Sequence, residues 1–240
     1  MGEVKNAFAD KRTAQKKNAG LSCQEPSDLC SYQIILVNDG SPDGTWDVIR
    51  ELCARDRHIV GINLAANAGQ ARAKLAALPF IRGNYLVFMD DDGQHPADRI
   101  FPMIDMLNEG WHMVYAQFPE MKESTGRQLL SFLANVPTSL LMRKPFRLRI
   151  TSFFVLDRTG ISIIRNHPAS FIGGAVFRKT RRVTGLPVDH RLRKAGSSNY
   201  DLKRLVKFWI RLTKELLLPE TADELTCSIA EVLNPPPALG

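Results

Sequence analysis

No run of 18 apolar residues occurs in this 240-residue chain, which excludes an ordinary membrane-spanning helix. Cysteine is scarce: Cys23, Cys30, Cys53 and Cys227 fall in no metal-ligand spacing, so a zinc site built on thiolates is excluded. The first residues lack the apolar core of a signal peptide, and reduced thiols in a cytosolic setting are the expectation. Zinc-finger spacing, an aromatic and basic RNA-binding signature and a helix-turn-helix pattern are all missing. Nucleic acid is therefore not an expected partner, despite a net charge of +7. What remains is 44% hydrophobic and 24% charged, enough for one α/β domain with an appendage or at most two small domains.

The charge is unevenly placed. Residues 1–120 carry 12 basic and 16 acidic side chains, whereas residues 121–240 carry 20 basic and 9 acidic ones. An acidic first half and a basic second half suit a polyanionic ligand held between them, or an anionic surface nearby.

Residues 1–31 are polar and Lys-rich, with a short helix expected near 4–17. The β-prone run Tyr32-Gln33-Ile34-Ile35-Leu36-Val37 then ends in Asn38-Asp39-Gly40-Ser41-Pro42-Asp43-Gly44-Thr45, a turn punctuated by Gly and Pro. Thr45 is the expected N-cap of a helix running to about Arg55. A strand over 58–64, an Ala-rich helix over 70–78, a strand over 84–89 and a helix over 98–108 closed by Gly110 follow, then a strand over 111–115. This alternation predicts a doubly wound, mostly parallel sheet. Its strands have apolar bodies and polar carboxyl ends, so the turns at Asp39 and at Asp90-Asp91-Asp92-Gly93-Gln94-His95-Pro96 face one crevice. Carboxylates gathered there without Cys or several His suit a hard divalent cation, which commonly accompanies phosphates.

Downstream, 124–142 reads as a helix, 149–156 as a strand and the stretch after Asp157-Arg158 as a short helix to about Asn166. The apolar, Gly-containing stretch 171–177 reads as a core or membrane-facing element, and 181–189 as a final strand. From Asp201, Leu202, Leu205, Val206, Trp209, Leu212 and Leu216 share one helix face, with Lys203, Lys207, Arg211 and Lys214 on the other. That is a basic amphipathic helix, suited either to a membrane surface or to ordinary packing. The division expected is a polar segment 1–31, an α/β domain 32–200, the amphipathic helix 201–218 and a tail 219–240 read as weak helix and then irregular chain.

Five pieces in order carry a resemblance: Ile35 through Thr45, Asn67-Ala68-Gly69-Gln70, Met89 through Pro96, Ser152-Phe153 with Leu156-Asp157-Arg158, and Val188-Asp189-His190-Arg191 through Tyr200. Together they resemble the family 2 glycosyltransferases, in the branch that uses polyprenyl phosphates (dolichol-phosphate mannosyltransferase and bacterial undecaprenyl-phosphate sugar transferases). The resemblance implies an α/β fold of the GT-A class, an UDP- or GDP-linked nucleotide-diphosphate sugar as donor, a polyprenyl-phosphate lipid as acceptor, and Mg²⁺ or Mn²⁺ as cofactor. Asp39, with Gly40 and Ser41 beside it, matches the acidic position near the nucleobase or ribose. Asn67, Gln70 and Asp91 are expected around the donor. Asp90, Asp92 and Gln94 match the metal ligands, with Asp90, Asp92 and Arg191 as the catalytic set. Arg191, Arg193 and Ser197 fall in a late motif expected near phosphates. Placement at the cytosolic membrane face follows, peripheral through the amphipathic helix or supplied by a membrane partner protein.

The chain departs from that pattern in four places. Nothing in residues 1–31 matches the family's first, central strand with its Pro-x-Tyr-Asn-Glu ending. Ala66 stands where Arg commonly precedes Asn67, and Ser152 stands where some branches carry Asp, leaving a general base unassigned. Many relatives also continue into transmembrane helices after the equivalent of Tyr200. Two other readings stay open: a family 2 transferase acting on a polysaccharide or protein, and a truncated or degenerate relative that binds a partner or membrane surface without catalysis.

Overall fold

A computed structural model describes residues 32–118, 139, 142, 144–188 and 225–237. The expected helix over 124–142 therefore lies almost wholly outside the described residues, as do the segment 1–31 and the amphipathic helix 201–218. The described elements are β1 (Ile34–Asn38), α1 (Thr45–Arg55), β2 (Ile59–Leu64), α2 (Gln70–Ala76), β3 (Leu86–Phe88), α3 (Ile100–Asn108), β4 (Met113–Gln117), β5 (Phe154–Leu156), α4 (Arg158–Asn166), α5 (Ile172–Lys179), β6 (Val183–Pro187) and β7 (Ile229–Leu233).

The strands form two sheets, ordered β1-β2-β7 and β3-β5-β4-β6. Both are covered on two faces, which explains why their strands read as unbroken apolar runs. In the larger sheet the side chains alternate with period two. Met113, Tyr115, Phe154, Leu156 and Phe88 enter a core shared with Ile161, Ile164 and Val176 of α4 and α5. Val114, Ala116, Phe153 and Val155 enter the opposite core, with Ile100, Met103 and Leu107 of α3. The smaller sheet behaves alike: Val60, Ile62 and Leu64 pack with Ala73 of α2, and Ile59 with Trp46, Ile49 and Cys53 of α1. At Gly61 an added Cβ would lie 2.8 Å from Ile49 Cγ2, so the bare backbone is what admits α1 at this depth.

Strand directions are more mixed than the sequence suggests. The pairings β1–β2 and β4–β6 are parallel, as expected for strand–helix–strand units. However, β5 sits between β3 and β4 and runs against both. The tail also differs from its reading as weak helix and irregular chain. Ile229–Leu233 is a strand antiparallel to β2, and its Glu231 accepts from Trp46 Nε1 at 3.0 Å and from Arg50 at 3.3 Å. Covering the second edge of β2 gives this short run its strand conformation, a tertiary gain that local sequence does not announce. Thr45 is the first helical residue of α1 rather than its cap; Asp43 Oδ1 instead accepts from the Thr45 N–H at 3.0 Å. The stretch 171–177 resolves as core, since every residue from Ile172 to Phe177 is buried. Asp157 and Arg158 are not paired with each other. Asp157 caps α4 through Gly160 N (2.7 Å) and meets His112 Nδ1 (2.8 Å), while Arg158 donates to Asn84.

Among the described residues β1 pairs only with β2, and β3 only with β5. Near the starts of β1 and β3, Gln33 Nε2 donates to Phe80 O (3.0 Å) and Gln33 Oε1 accepts from Arg82 N (3.3 Å). Ile35 packs against the cores of both sheets. Among the described residues it is side chains that join the halves there. Asn38, at the end of β1, is buried, and its Oδ1 accepts no hydrogen bond among the described residues.

One buried cation gives the fold a pH signature. Lys144 is 4% exposed, its Nζ donates to Leu148 O at 2.7 Å, and burial pushes its pKa down from 10.5 to about 8. Between those two values the unfolded chain holds a proton that the folded chain has shed, so stability rises with pH across that window. Below it the burial cost is fully present. Urea midpoints of Lys144→Met should lack the upward contribution that the native chain shows between about pH 8 and pH 10.5, a difference of about one proton.

Candidate functional site

The carboxyl ends of β1, β2 and β3 bring their loops to one edge, and a chain of hydrogen bonds ties these loops together. It starts at Asp39, directly after β1. Asp39 Oδ1 accepts from Ala68 N at 2.7 Å, and Gly69 N lies 2.9 Å from Oδ2 and 3.2 Å from Oδ1. Gly69 is the N-cap residue of α2, so Asp39 satisfies N–H groups that would otherwise be left open at a helix start. Gly40, at φ 63°, presses on the same loop: a Cβ there would fall 2.5 Å from Asn67 N and 2.6 Å from Ala66 C. The glycine therefore serves both its own left-handed conformation and a close backbone crossing.

Gln70, the first residue of α2, carries the chain onward. Its Nε2 donates to Asp90 Oδ1 at 3.2 Å, across from the β2 loop to the β3 loop. Ser152 Oγ donates to Asp90 Oδ2 at 2.6 Å from the segment entering β5. The Asp90 N–H donates to His95 Nδ1 at 3.0 Å, and that ring is buried, stacked on Phe153 and Phe118 with centroids 5.1 and 5.8 Å away. With Nδ1 occupied as acceptor, the neutral ring carries its proton on Nε2, which lies 3.9 Å from Asp90 Oδ2. Asp90 is thus held by α2, by the approach to β5 and by its own loop. Asp92 is exposed, and its Oδ1 accepts from Gln94 N at 3.0 Å.

Of the residues expected at the site, Asp39, Gln70 and Asp90 are joined in this network, with Asp92 and Gln94 next along the loop; Gly40 packs closely on the backbone at Asn67, whose side chain is exposed. Ser41 and Asp91 are exposed beside it. Arg191, Arg193 and Ser197 lie outside the described residues. Two further residues bear on Asp90. His95 holds its backbone N–H. Lys74 stands one helical turn beyond Gln70 on α2, so the two share a face, a signal that helical spacing offers in the sequence. Burial pushes the Lys74 ammonium pKa down while the Asp90 carboxylate opposes that shift, and Nζ stands 5.8 Å from the Phe88 ring centroid. The tail also reaches this edge: Ser228 O accepts from Ala65 N at 2.9 Å, and Cys227, its thiol pKa pushed up by burial and by Asp39, approaches Arg72 O.

The donor set tests whether a cation fits. Asp90, Asp92 and Gln94 offer only oxygens, the chemistry of Mg²⁺ or Mn²⁺ rather than zinc. Each Asp90 oxygen accepts one bond from a neutral donor, which keeps further lone pairs free. No group of three His, Cys, Asp or Glu side chains suited to a metal occurs among the described residues. The residues therefore fit an incomplete oxygen shell that a ligand's phosphates and waters would finish, and not a closed structural cage.

Comparison with known proteins places this chain in a family. The model described as Glycosyl transferase family 2 matches residues 22–168. The undecaprenyl-phosphate 4-deoxy-4-formamido-L-arabinose transferase of Edwardsiella ictaluri (strain 93-146) is 28% identical over 181 residues, covering 73% of this chain and 55% of that protein. The protein of the same description from Yersinia pestis (strain Pestoides F) is 28% identical over 183 residues, with the same coverage of 73% and 55%. The chain thus spans about half the length of the curated relatives it matches. Among solved structures, glucosyl-3-phosphoglycerate synthase from Mycobacterium tuberculosis in complex with uridine diphosphate superposes with a TM-score of 0.54 at 15% identity, covering 78% of this chain and 70% of that one. That likeness is one of fold.

Proposed function

Because this chain belongs to glycosyl transferase family 2 and has the GT-A fold, we propose that it moves a sugar from a nucleotide-diphosphate sugar to a polyprenyl phosphate with inversion at the anomeric carbon. The observation that carries the reading is the convergence of Gln70 and Ser152 on Asp90 at the sheet's carboxyl edge, beside the Asp39-clamped loop. The relatives named for undecaprenyl phosphate support the acceptor class.

Asp90, Asp92 and Gln94 would hold Mg²⁺ or Mn²⁺, which when bound offsets the charge that grows on the leaving nucleoside diphosphate. The protein's own part is placement. Asp39 and Gly40 fix the loop 66–69 and so shape the floor on which Asn67 and Gln70 meet the donor. Gln70 and Ser152 hold the Asp90 carboxylate still, so it needs no rearrangement when charge develops. The acceptor phosphate is already an anion at neutral pH and needs orientation rather than deprotonation, so the lack of a base at Ser152 is no obstacle. Arg191 and Arg193 would supply that orientation by bidentate contacts, with Ser197 nearby. Attack of a phosphate oxygen on C1 forms the new C–O bond as the bond to the diphosphate breaks, through an oxocarbenium-like state. No helix among the described residues is long and apolar enough to cross a membrane. Contact with the lipid is assigned to the basic amphipathic stretch 201–218.

The test is a screen of radiolabelled UDP- and GDP-sugars against short polyprenyl phosphates, with Mn²⁺, with Mg²⁺ and with EDTA. Label should enter the lipid phase with one donor, stop on chelation and return with metal. Failure of every nucleotide sugar to bind in a metal-dependent way would overturn the reading in favour of a non-catalytic relative.

A further inference from the structure

Three segments reach Asp90, and the shortest contact comes from the one farthest away in sequence. Ser152 Oγ donates to Asp90 Oδ2 at 2.6 Å across 62 residues, a length typical of a hydroxyl donating to a charged carboxylate. Ser152 is not free to follow Asp90. On one side, Thr151 Oγ1 donates to Ala116 O (3.0 Å) and lies 2.9 Å from Phe153 O. On the other, Phe153 is fully buried, its carbonyl accepts from Ala116 N at 3.0 Å, and its ring stacks on His95. His95 in turn receives the Asp90 N–H. The β4–β5 ladder therefore reaches Asp90 twice, through the Ser152 hydroxyl to the carboxylate and through Phe153 and His95 to the backbone.

The identity of the side chain matters as much as its anchoring. A hydroxyl supplies a single short donor, so it fixes the plane of the carboxylate it meets.

We infer that Ser152 is a positioning residue that presents Asp90 to the metal in a fixed orientation. This rests on the reading of Asp90 as a metal ligand. Loss of an outer partner of a metal ligand typically weakens metal binding by about 10–100-fold.

The experiment measures Mn²⁺ binding by electron paramagnetic resonance in the presence of UDP or GDP, for the native chain and for Ser152→Ala, Ser152→Cys and Ser152→Thr, with circular dichroism as the check on folding. Ser152→Ala should weaken Mn²⁺ by at least about tenfold. Ser152→Cys, similar in shape but a poor donor, should follow it, and Ser152→Thr should restore binding to within about threefold. In transfer assays the Ala variant should need more metal for half-maximal rate and regain most of its kcat at saturation. If folded Ala or Cys variants bind Mn²⁺ like the native chain, the positioning role is overturned while the metal site stands. If the Ala variant does not fold, the Cys variant decides alone. If the native chain binds no Mn²⁺ with either nucleotide, the underlying site reading falls first, and this inference with it.

Discussion

Asparagine in place of Asp90 should lower metal-dependent transfer by about a thousandfold while leaving the protein folded, since losing one charged group aimed at the reacting site costs on the order of 10²–10³ in rate. The substitution is nearly isosteric. One amide oxygen remains to accept from Ser152 or from Gln70, and the other position then turns an NH₂ toward a donor. That mismatch falls on a side chain about 30% exposed, where water can repair it, so the thermal midpoint should move little. The charge cannot be repaired. Asp92 is exposed and occupied with its own loop through Gln94 N, so it cannot take over the fixed position of Asp90. Initial rates across a Mn²⁺ titration, beside melting curves, make the comparison. Native rates from Asp90→Asn would contradict the role assigned to this carboxylate.

Alanine in place of Gly40 should act through structure instead, lowering stability by about 2–4 kcal/mol through left-handed backbone strain plus overpacking. The new methyl would lie 2.5 Å from Asn67 N and 2.6 Å from Ala66 C, and both are backbone atoms with no side-chain end to swing away. Relief requires the 66–69 loop to lift, which breaks the bonds from Ala68 N and Gly69 N to Asp39. Gln70, next in the chain, would then lose its reach to Asp90. Differential scanning calorimetry should show a midpoint lower by roughly 5–15 °C, at about 2–4 °C per kcal/mol for a chain of this size. Donor binding should weaken in the same variant. A midpoint unchanged by Gly40→Ala would mean that the two loops are not locked together as described.

The parts of the fold that the sequence revealed are those whose pattern is local. The apolar runs of β1, β2, β3 and β4 and the helices between them stand where alternation and turn residues put them, within a few residues. The antiparallel course of β5 and the strand Ile229–Leu233 escaped because strand direction and edge coverage are decided by distant partners. The site divides the same way. Asp39, Asp90 and Asp92 could be picked out because carboxylates crowd the ends of apolar strands, whereas Gln70 and Gln94 came from the family resemblance. What Ser152 and His95 do could not, since each acquires its meaning from a contact that only folding creates. Lys74 lay within reach of helical spacing once α2 was known to start at Gln70.

The seam between β1 and β3 has a mechanical consequence. Among the described residues the two half-sheets are linked there by side chains, Gln33 to Phe80 and Arg82 at one end and Gln70 to Asp90 at the other. A ligand gripping both the Asp39 loop and Asp90 would add a strut across that seam.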